Sequence, residues 1–228
     1  MASLILLLFY YFLKYIGFKK GEKNYVYFIT SRWARFTLFT AGIRLSVIGE
    51  ENIPETHSGF VVVSNHQGNF DIPVFVACLP FSVGFISKKE LMKLLFIRSW
   101  MNALDCLPID RDNPRESRGR IIERIRHTDK NPVFLFPEGT RSRGIKMGPF
   151  KTGTLKLLFT NQIDVLPVTI NGSYKCYEEY NHIKADRIQV IYHPVIHTCT
   201  YDLSGFDSFN EDLQNIIGAP LRDRKNTY

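Results

Sequence analysis

Cysteine is scarce in this chain: four in 228 residues, Cys78, Cys106, Cys176 and Cys199, with no C-x-x-C pair. That spacing suggests neither a zinc site nor a disulfide framework and reads as reduced thiols in a cytosolic compartment. The histidines form no H-E-x-x-H or similar pattern, so no metal site is expected; His193 and His197 read as a strand polar group and a loop residue. No serine sits in a G-x-S-x-G elbow and no cysteine nucleophile is evident, so a covalent enzyme intermediate is not expected. There are no repeats, low-complexity tracts or long linkers. The uncharged run that opens the chain, Ala2 to Leu13, ends at Lys14, short of the roughly 20 residues a bilayer span needs. Positive charges follow that run and no A-x-A site closes it, so a signal peptide is not expected.

The net charge is +7, and it is concentrated. Residues 1–45 hold Lys14, Lys19, Lys20, Lys23, Arg32, Arg35 and Arg44 against Glu22 alone, and the remaining chain is nearly neutral. A nucleic-acid binder displays its bases on the folded body. Here they sit among apolar and aromatic residues, so no nucleic-acid partner is expected. Tyr25, Ile29, Trp33, Phe36 and Thr40 fall near helical spacing, with Arg32 and Arg35 on one side. Aromatic rings mixed with cations suit a helix at the headgroup depth of a membrane. The same ring-bearing helix also fits packing on the domain, and the two readings are compatible on opposite faces. Residues 1–42 are therefore expected to form a membrane-associated helical pair, either monotopic or with one marginal span, on the cytoplasmic face of a membrane. Residues 43–228 are expected to form the catalytic domain.

Beyond Ile43 the pattern alternates. Short apolar runs such as "GFVVVSN", "SVGFISK", "CLPID", "NPVFLFP", "DVLPVTING" and "RIQVIYHPVI" read as strands. "ELMKLLFIRSWMNAL", "NPRESRGRIIERIRH", "GTLKLLFTNQ" and "FDSFNEDLQNIIGA" carry helical spacing. Alternation of this kind predicts an α/β fold, a mixed, largely parallel sheet flanked by helices.

Two stretches carry chemistry. "SNHQGNFDIP" follows a buried strand. His66 and Asp71 are five apart, about 140° apart on a regular helix, so a helical contact is disfavoured. Gly68 permits a tight turn, and Pro73 fits early in a helix that Asp71 would start. Such a turn folds the imidazole over the carboxylate, the base-plus-orienter part of a triad. Asp71 as a plain N-cap and His66 as a polar turn residue are the alternative. With no nucleophile of its own, a real dyad would activate a hydroxyl on the substrate. The second stretch is "FLFPEGTRSRG". Arg141 and Arg143 in a turn at a strand end suit a phosphate monoester, with Glu138 placed to orient Arg141. A surface salt bridge is the alternative. "FISKKEL" and "IDRDN" bring Lys88, Lys89 and Arg111 to other strand ends.

Taken in order, "NHQGNFD", "KKEL", "IDRDNPRES", "FPEGTRS", "FKTG" and "LPVTINGSYK" resemble the 1-acyl-sn-glycerol-3-phosphate acyltransferases, a family of glycerolipid acyltransferases, over roughly Gly49 to Val195. The resemblance implies His66 as general base and Asp71 as its orienter. It implies Glu138, Gly139, Thr140 and Arg141 as the phosphate-binding motif, Lys88 and Arg111 as bases at the acceptor, and "VLPV" near the acyl-donor side. It implies no cofactor: acyl-CoA or acyl carrier protein is a co-substrate, and lysophosphatidic acid in a phospholipid leaflet is the acceptor, giving phosphatidic acid. Glycerol 3-phosphate or another lipid alcohol is the alternative acceptor. Position 68 is glycine where many relatives have serine, and Asn69-Phe70 is one variant of a loose stretch.

Overall fold

The computed structural model describes residues 10–17, 19–56, 59–110, 113–126 and 131–222. Seven strands form one sheet: β1 (Arg44–Ile48), β2 (Phe60–Ser64), β3 (Gly84–Lys88), β4 (Leu107–Ile109), β5 (Val133–Leu135), β6 (Asp164–Asn171) and β7 (Arg187–Tyr192). Their order is β1-β7-β6-β2-β5-β3-β4. Every neighbouring pair is parallel except β6 and β7. The expected mixed, largely parallel sheet is present.

Helices cover both faces: α1 (Lys19–Thr40), α2 (Asp71–Cys78), α3 (Leu95–Ala103), α4 (Pro114–Arg126), α5 (Thr152–Thr160) and α6 (Phe206–Arg222). The valine run of β2 shows why two layers are needed. Side chains alternate across a strand. Val62 joins α1 and α2 in one core, with Ala34, Leu38 and Phe75, while Val61 and Val63 join Leu155, Leu158, Phe209, Leu213 and Ile217 from α5 and α6 in the other. Every β2 side chain is buried, and each fully buried valine is worth about 1.5–3 kcal/mol over an exposed one. The Phe209–Leu213–Ile217 spacing puts one stripe of α6 on the sheet. That stripe is pinned by Thr169, whose hydroxyl donates to Ile217 O at 2.8 Å. Thr169 Oγ1 also lies 2.8 Å from His193 Nε2, which donates because the hydroxyl hydrogen is committed to Ile217 O, and burial pushes the His193 imidazole below its usual range.

The amino-terminal region is helical over residues 10–15, turns at Gly17 and resumes in α1. Val26, Thr30, Ala34 and Leu38, four apart, are the buried stripe of α1. Arg35 donates Nε and Nη2 to Ala77 O, each at 3.4 Å, covering an orphan carbonyl at the end of α2. On the other side Trp33, Phe36 and Phe39 are 55%, 66% and 80% exposed. Both readings of this helix therefore have a face of their own, one packed and one carrying bare rings. Among the described residues no helix is long and apolar enough to cross a membrane. Residues 1–9, most of the opening apolar run, lie outside the described residues.

Candidate active site

Three neighbouring parallel strands, β6, β2 and β5, end on the same edge, and the loops that leave them meet there. Ligands of open α/β sheets bind at this carboxyl edge. The loop after β2 is residues 65–70. Asn65 pairs with the β6 backbone through both ends of its amide, accepting from Ile170 N and donating to Ile170 O, each at 2.9 Å. Gln67 Oε1 accepts from Gly172 N at 2.9 Å. Gly172 sits at φ 96°, where a Cβ would come 2.8 Å from Arg187 O, so the tight exit from β6 requires glycine.

Between these anchors His66 points back over Asp71, as the turn predicts. His66 Nδ1 is 2.7 Å from Asp71 Oδ2. The same oxygen accepts from Gln67 N at 2.7 Å and Gly68 N at 3.0 Å, and Ser173 Oγ donates to Oδ1. Four donors thus converge on a buried carboxylate. With Asp71 accepting, Nδ1 carries the hydrogen, and in the neutral imidazole that leaves the lone pair on Nε2. Asp71 is fully buried, whereas His66 is 18% exposed, so the base is reachable and its orienter is not. Phe136, the residue after β5, stacks on the imidazole at 4.0 Å between centroids and 18° between planes. The N-cap alternative fails on direction. Asp71 is the first residue of α2 but reaches upstream amides, and the cap position, Phe70, has no side-chain bond. Pro73 is tolerated because first-turn N–H groups have no helical acceptor.

The loop after β5 folds against the loop after β2. Ser142 N donates to His66 O at 2.7 Å and Arg143 N to Gln67 O at 3.1 Å. Glu138 is buried, and its role differs from the expected one. Oε1 accepts from His66 N at 2.7 Å and Oε2 from Gly148 N at 2.7 Å. It makes no hydrogen bond or ion pair with Arg141. Burial pushes the Glu138 carboxyl above its usual range, and the two N–H donors work against that shift. Glu138 therefore clamps the backbone of His66 rather than orienting the arginine. Arg141 is held elsewhere: Nη1 donates to Asn69 Oδ1 and to Glu178 Oε1, the latter at 3.2 Å. Gly139 is left-handed at φ 67°, and a Cβ there would come 2.8 Å from Lys151 Nζ. Thr140 is exposed and lines a shallow depression with Ser142, Lys146 and Lys151.

The structure thus brings His66, Asp71, Glu138, Gly139, Thr140 and Arg141 to one loop cluster. Lys88 ends β3, two strands from β2 across β5, on the same edge, with no hydrogen bond or ion pair to the cluster. Arg111 lies outside the described residues. Ser173, Glu178, Asn65, Gln67 and Phe136 were not singled out by sequence reasoning. Their positions depend on chain segments that meet only in three dimensions, and "NGS" after a strand carries no more than a turn signal. Among the described residues no group of three or more His, Cys, Asp or Glu side chains is placed to hold a metal ion.

The family model described as Acyltransferase matches residues 44–171, which include His66, Asp71, Glu138, Gly139, Thr140 and Arg141, while Ser173 and Glu178 lie just beyond it. The chain belongs to the acyltransferase family. This acyltransferase is 32% identical over 160 residues to the chloroplastic 1-acyl-sn-glycerol-3-phosphate acyltransferase BAT2 of Brassica napus, across 69% of the chain and 46% of the relative. It is 30% identical over 119 residues to the 1-acyl-sn-glycerol-3-phosphate acyltransferase of Escherichia coli, across 51% of the chain and 49% of the relative. The chain spans about half the length of these curated relatives. In fold it is similar to the crystal structure of the 1-acyl-sn-glycerophosphate acyltransferase PlsC from Thermotoga maritima. That likeness has a TM-score of 0.80 at 22% identity, over 100% of this acyltransferase and 98% of that chain.

Proposed function

We propose that this acyltransferase moves a fatty acyl group from a thioester to the free hydroxyl of 1-acyl-glycerol 3-phosphate, giving phosphatidic acid. The observation that carries the reading is the His66–Asp71 pair, with Arg141 on a loop bonded directly to the backbone of His66. The names of the relatives above support the same acceptor. His66 Nε2 takes the hydroxyl proton as the oxygen bonds to the thioester carbonyl carbon. The C–S bond then breaks, and the imidazolium returns the proton to the departing thiolate. No covalent enzyme intermediate is needed. Arg141 holds the acceptor phosphate, and Gly139 and Thr140 shape the turn that presents it. Lys88, at the end of β3 on the same edge, adds positive charge for the acceptor. The donor is acyl-CoA or acyl carrier protein.

The purified protein is tested with lysophosphatidate or glycerol 3-phosphate as acceptor, each with both donors, by free thiol release and product identification. Lysophosphatidate is the expected acceptor. Arg141→Ala is expected to raise its KM about tenfold or more, the scale of a lost charge-assisted contact. No thiol release with any pair, or an unchanged KM in Arg141→Ala, overturns this reading.

The exposed rings of α1 support a second part of the proposal, that this helix lies against the cytoplasmic leaflet of a membrane. Trp33, Phe36 and Phe39 are bare, with Arg32 on the same helix placed over the Phe28 ring at 5.1 Å. The triple variant Trp33→Glu, Phe36→Glu, Phe39→Glu is expected to lose flotation with anionic phospholipid vesicles, with its melting temperature unchanged. Undiminished flotation sinks this part.

A further inference from the structure

Glu178 is an acid set against the guanidinium that the proposed reaction needs for phosphate. It follows the short helical turn Ser173–Cys176 beyond β6, and its side chain is only 4% exposed. Oε1 accepts from Asn69 N at 2.7 Å and from Arg141 Nη1 at 3.2 Å. Oε2 has no hydrogen-bond partner among the described residues and lies over Gly68. A Cβ on Gly68 would come 2.4 Å from Oε2 and 2.9 Å from the carboxyl carbon. Gly68 does not have a positive φ, so the backbone would accept alanine and the carboxylate is what excludes it.

The bonds of Arg141 are equally one-sided. Both come from Nη1, one to Glu178 and one to Asn69 Oδ1. A guanidinium is a rigid planar fork with five N–H donors. Fixing Nη1 leaves the Nε–Nη2 edge, with no partner among the described residues, and that edge grips two oxygens of a phosphate side-on. Without an anchor, the long arginine side chain would have to be ordered by the substrate itself, at an entropic cost to binding.

We propose that Glu178 is the positioning residue of the acceptor-phosphate site. It holds Arg141 by one corner so that the Nε–Nη2 edge meets the phosphate, and the glycine at position 68 exists to admit its carboxylate. The proposal rests on the reading of Arg141 as the phosphate contact. Its action is geometric, because the oxygen that anchors Arg141 also receives the Asn69 N–H and is fixed from two sides.

The test is steady-state kinetics with lysophosphatidate on Glu178→Ala, Glu178→Gln, Gly68→Ala and the Glu178→Ala/Gly68→Ala pair, beside Arg141→Ala. Glu178→Ala is expected to raise KM roughly tenfold with kcat within about twofold, the scale of one charge-assisted bond. Glu178→Gln keeps an acceptor oxygen at Oε1 and is expected to restore KM to within about threefold. Gly68→Ala is expected to match Glu178→Ala by pushing the carboxylate aside, and to add nothing in the double variant, where nothing remains to clash. A KM unchanged or lowered in Glu178→Ala overturns the proposal, as do penalties that multiply in the double variant. If Glu178→Ala does not fold, Gly68→Ala and Glu178→Gln carry the same comparison. An Arg141→Ala enzyme with wild-type KM points to failure of the phosphate reading; a damaged Arg141→Ala beside an unaffected Glu178→Ala rejects only the anchor.

Discussion

His66→Ala is expected to lower kcat by about 10²–10⁴-fold, the usual worth of a general base, while lysophosphatidate still binds. The substitution is unusually clean here. Both bonds that tie His66 to the neighbouring loop, to Glu138 Oε1 and from Ser142 N, are made by its main chain and survive. Asp71 loses one donor of four and keeps Gln67 N, Gly68 N and Ser173 Oγ, so no bare charge is left in the core. A melting temperature near wild type should therefore accompany the loss of turnover. Asp71→Ala lacks this clarity, since it would strand three buried donors at once. Single-turnover thiol release, read beside lipid binding, decides the matter. A His66→Ala enzyme with ordinary kcat removes the base from the mechanism.

Glu138→Gln is expected to be the second large effect, and to act on both stability and kcat. An amide offers one oxygen where the carboxylate offers two, and its NH₂ would face a backbone N–H. Either His66 N or Gly148 N loses its acceptor in a buried place, a loss of about 1–3 kcal/mol in a denaturant titration. If His66 N is the one released, the imidazole shifts, and a misplacement of that kind costs up to about 10²-fold in rate. KM for the acceptor should move little. A Glu138→Gln enzyme of normal stability and kcat, with a raised KM, would instead restore the view that this acid serves the phosphate through Arg141.

Much of the fold was readable from local chemistry. The valine run of β2, the spacing of Ile121, Ile122 and Ile125 in α4, and Pro114 at the first position of that helix each announce their element without help from distant residues. The dyad was readable for the same reason: both partners lie in one decapeptide, and a turn of five residues is the only link between them. The bonds of Glu138 differ from the expected one because sequence proximity suggests Arg141, three residues away, whereas its hydrogen-bond partners are backbone N–H groups at positions 66 and 148. Backbone donors leave no trace in the identity of the residues that own them. Ser173 and Glu178 were invisible because each meets the loop after β2 from more than 100 residues away in sequence, and Glu178 is 37 residues from Arg141. A serine in a turn and a glutamate near a surface loop have ordinary local explanations.

The amino-acid order alone determined the strand and helix pattern and the concentration of charge and rings at the amino-terminal end, and it offered the His66–Asp71 pair beside a plain N-cap, a choice the structure made. These depend on periodicity and short-range turns, which operate over ten residues or fewer. Only the tertiary structure decided which side of α1 is buried, that Glu138 holds the backbone of the base, and that Glu178 rather than Glu138 touches Arg141. Those outcomes follow from β2 lying between β5 and β6, because that single placement brings three strand ends, and the loops leaving them, within hydrogen-bond reach of one another.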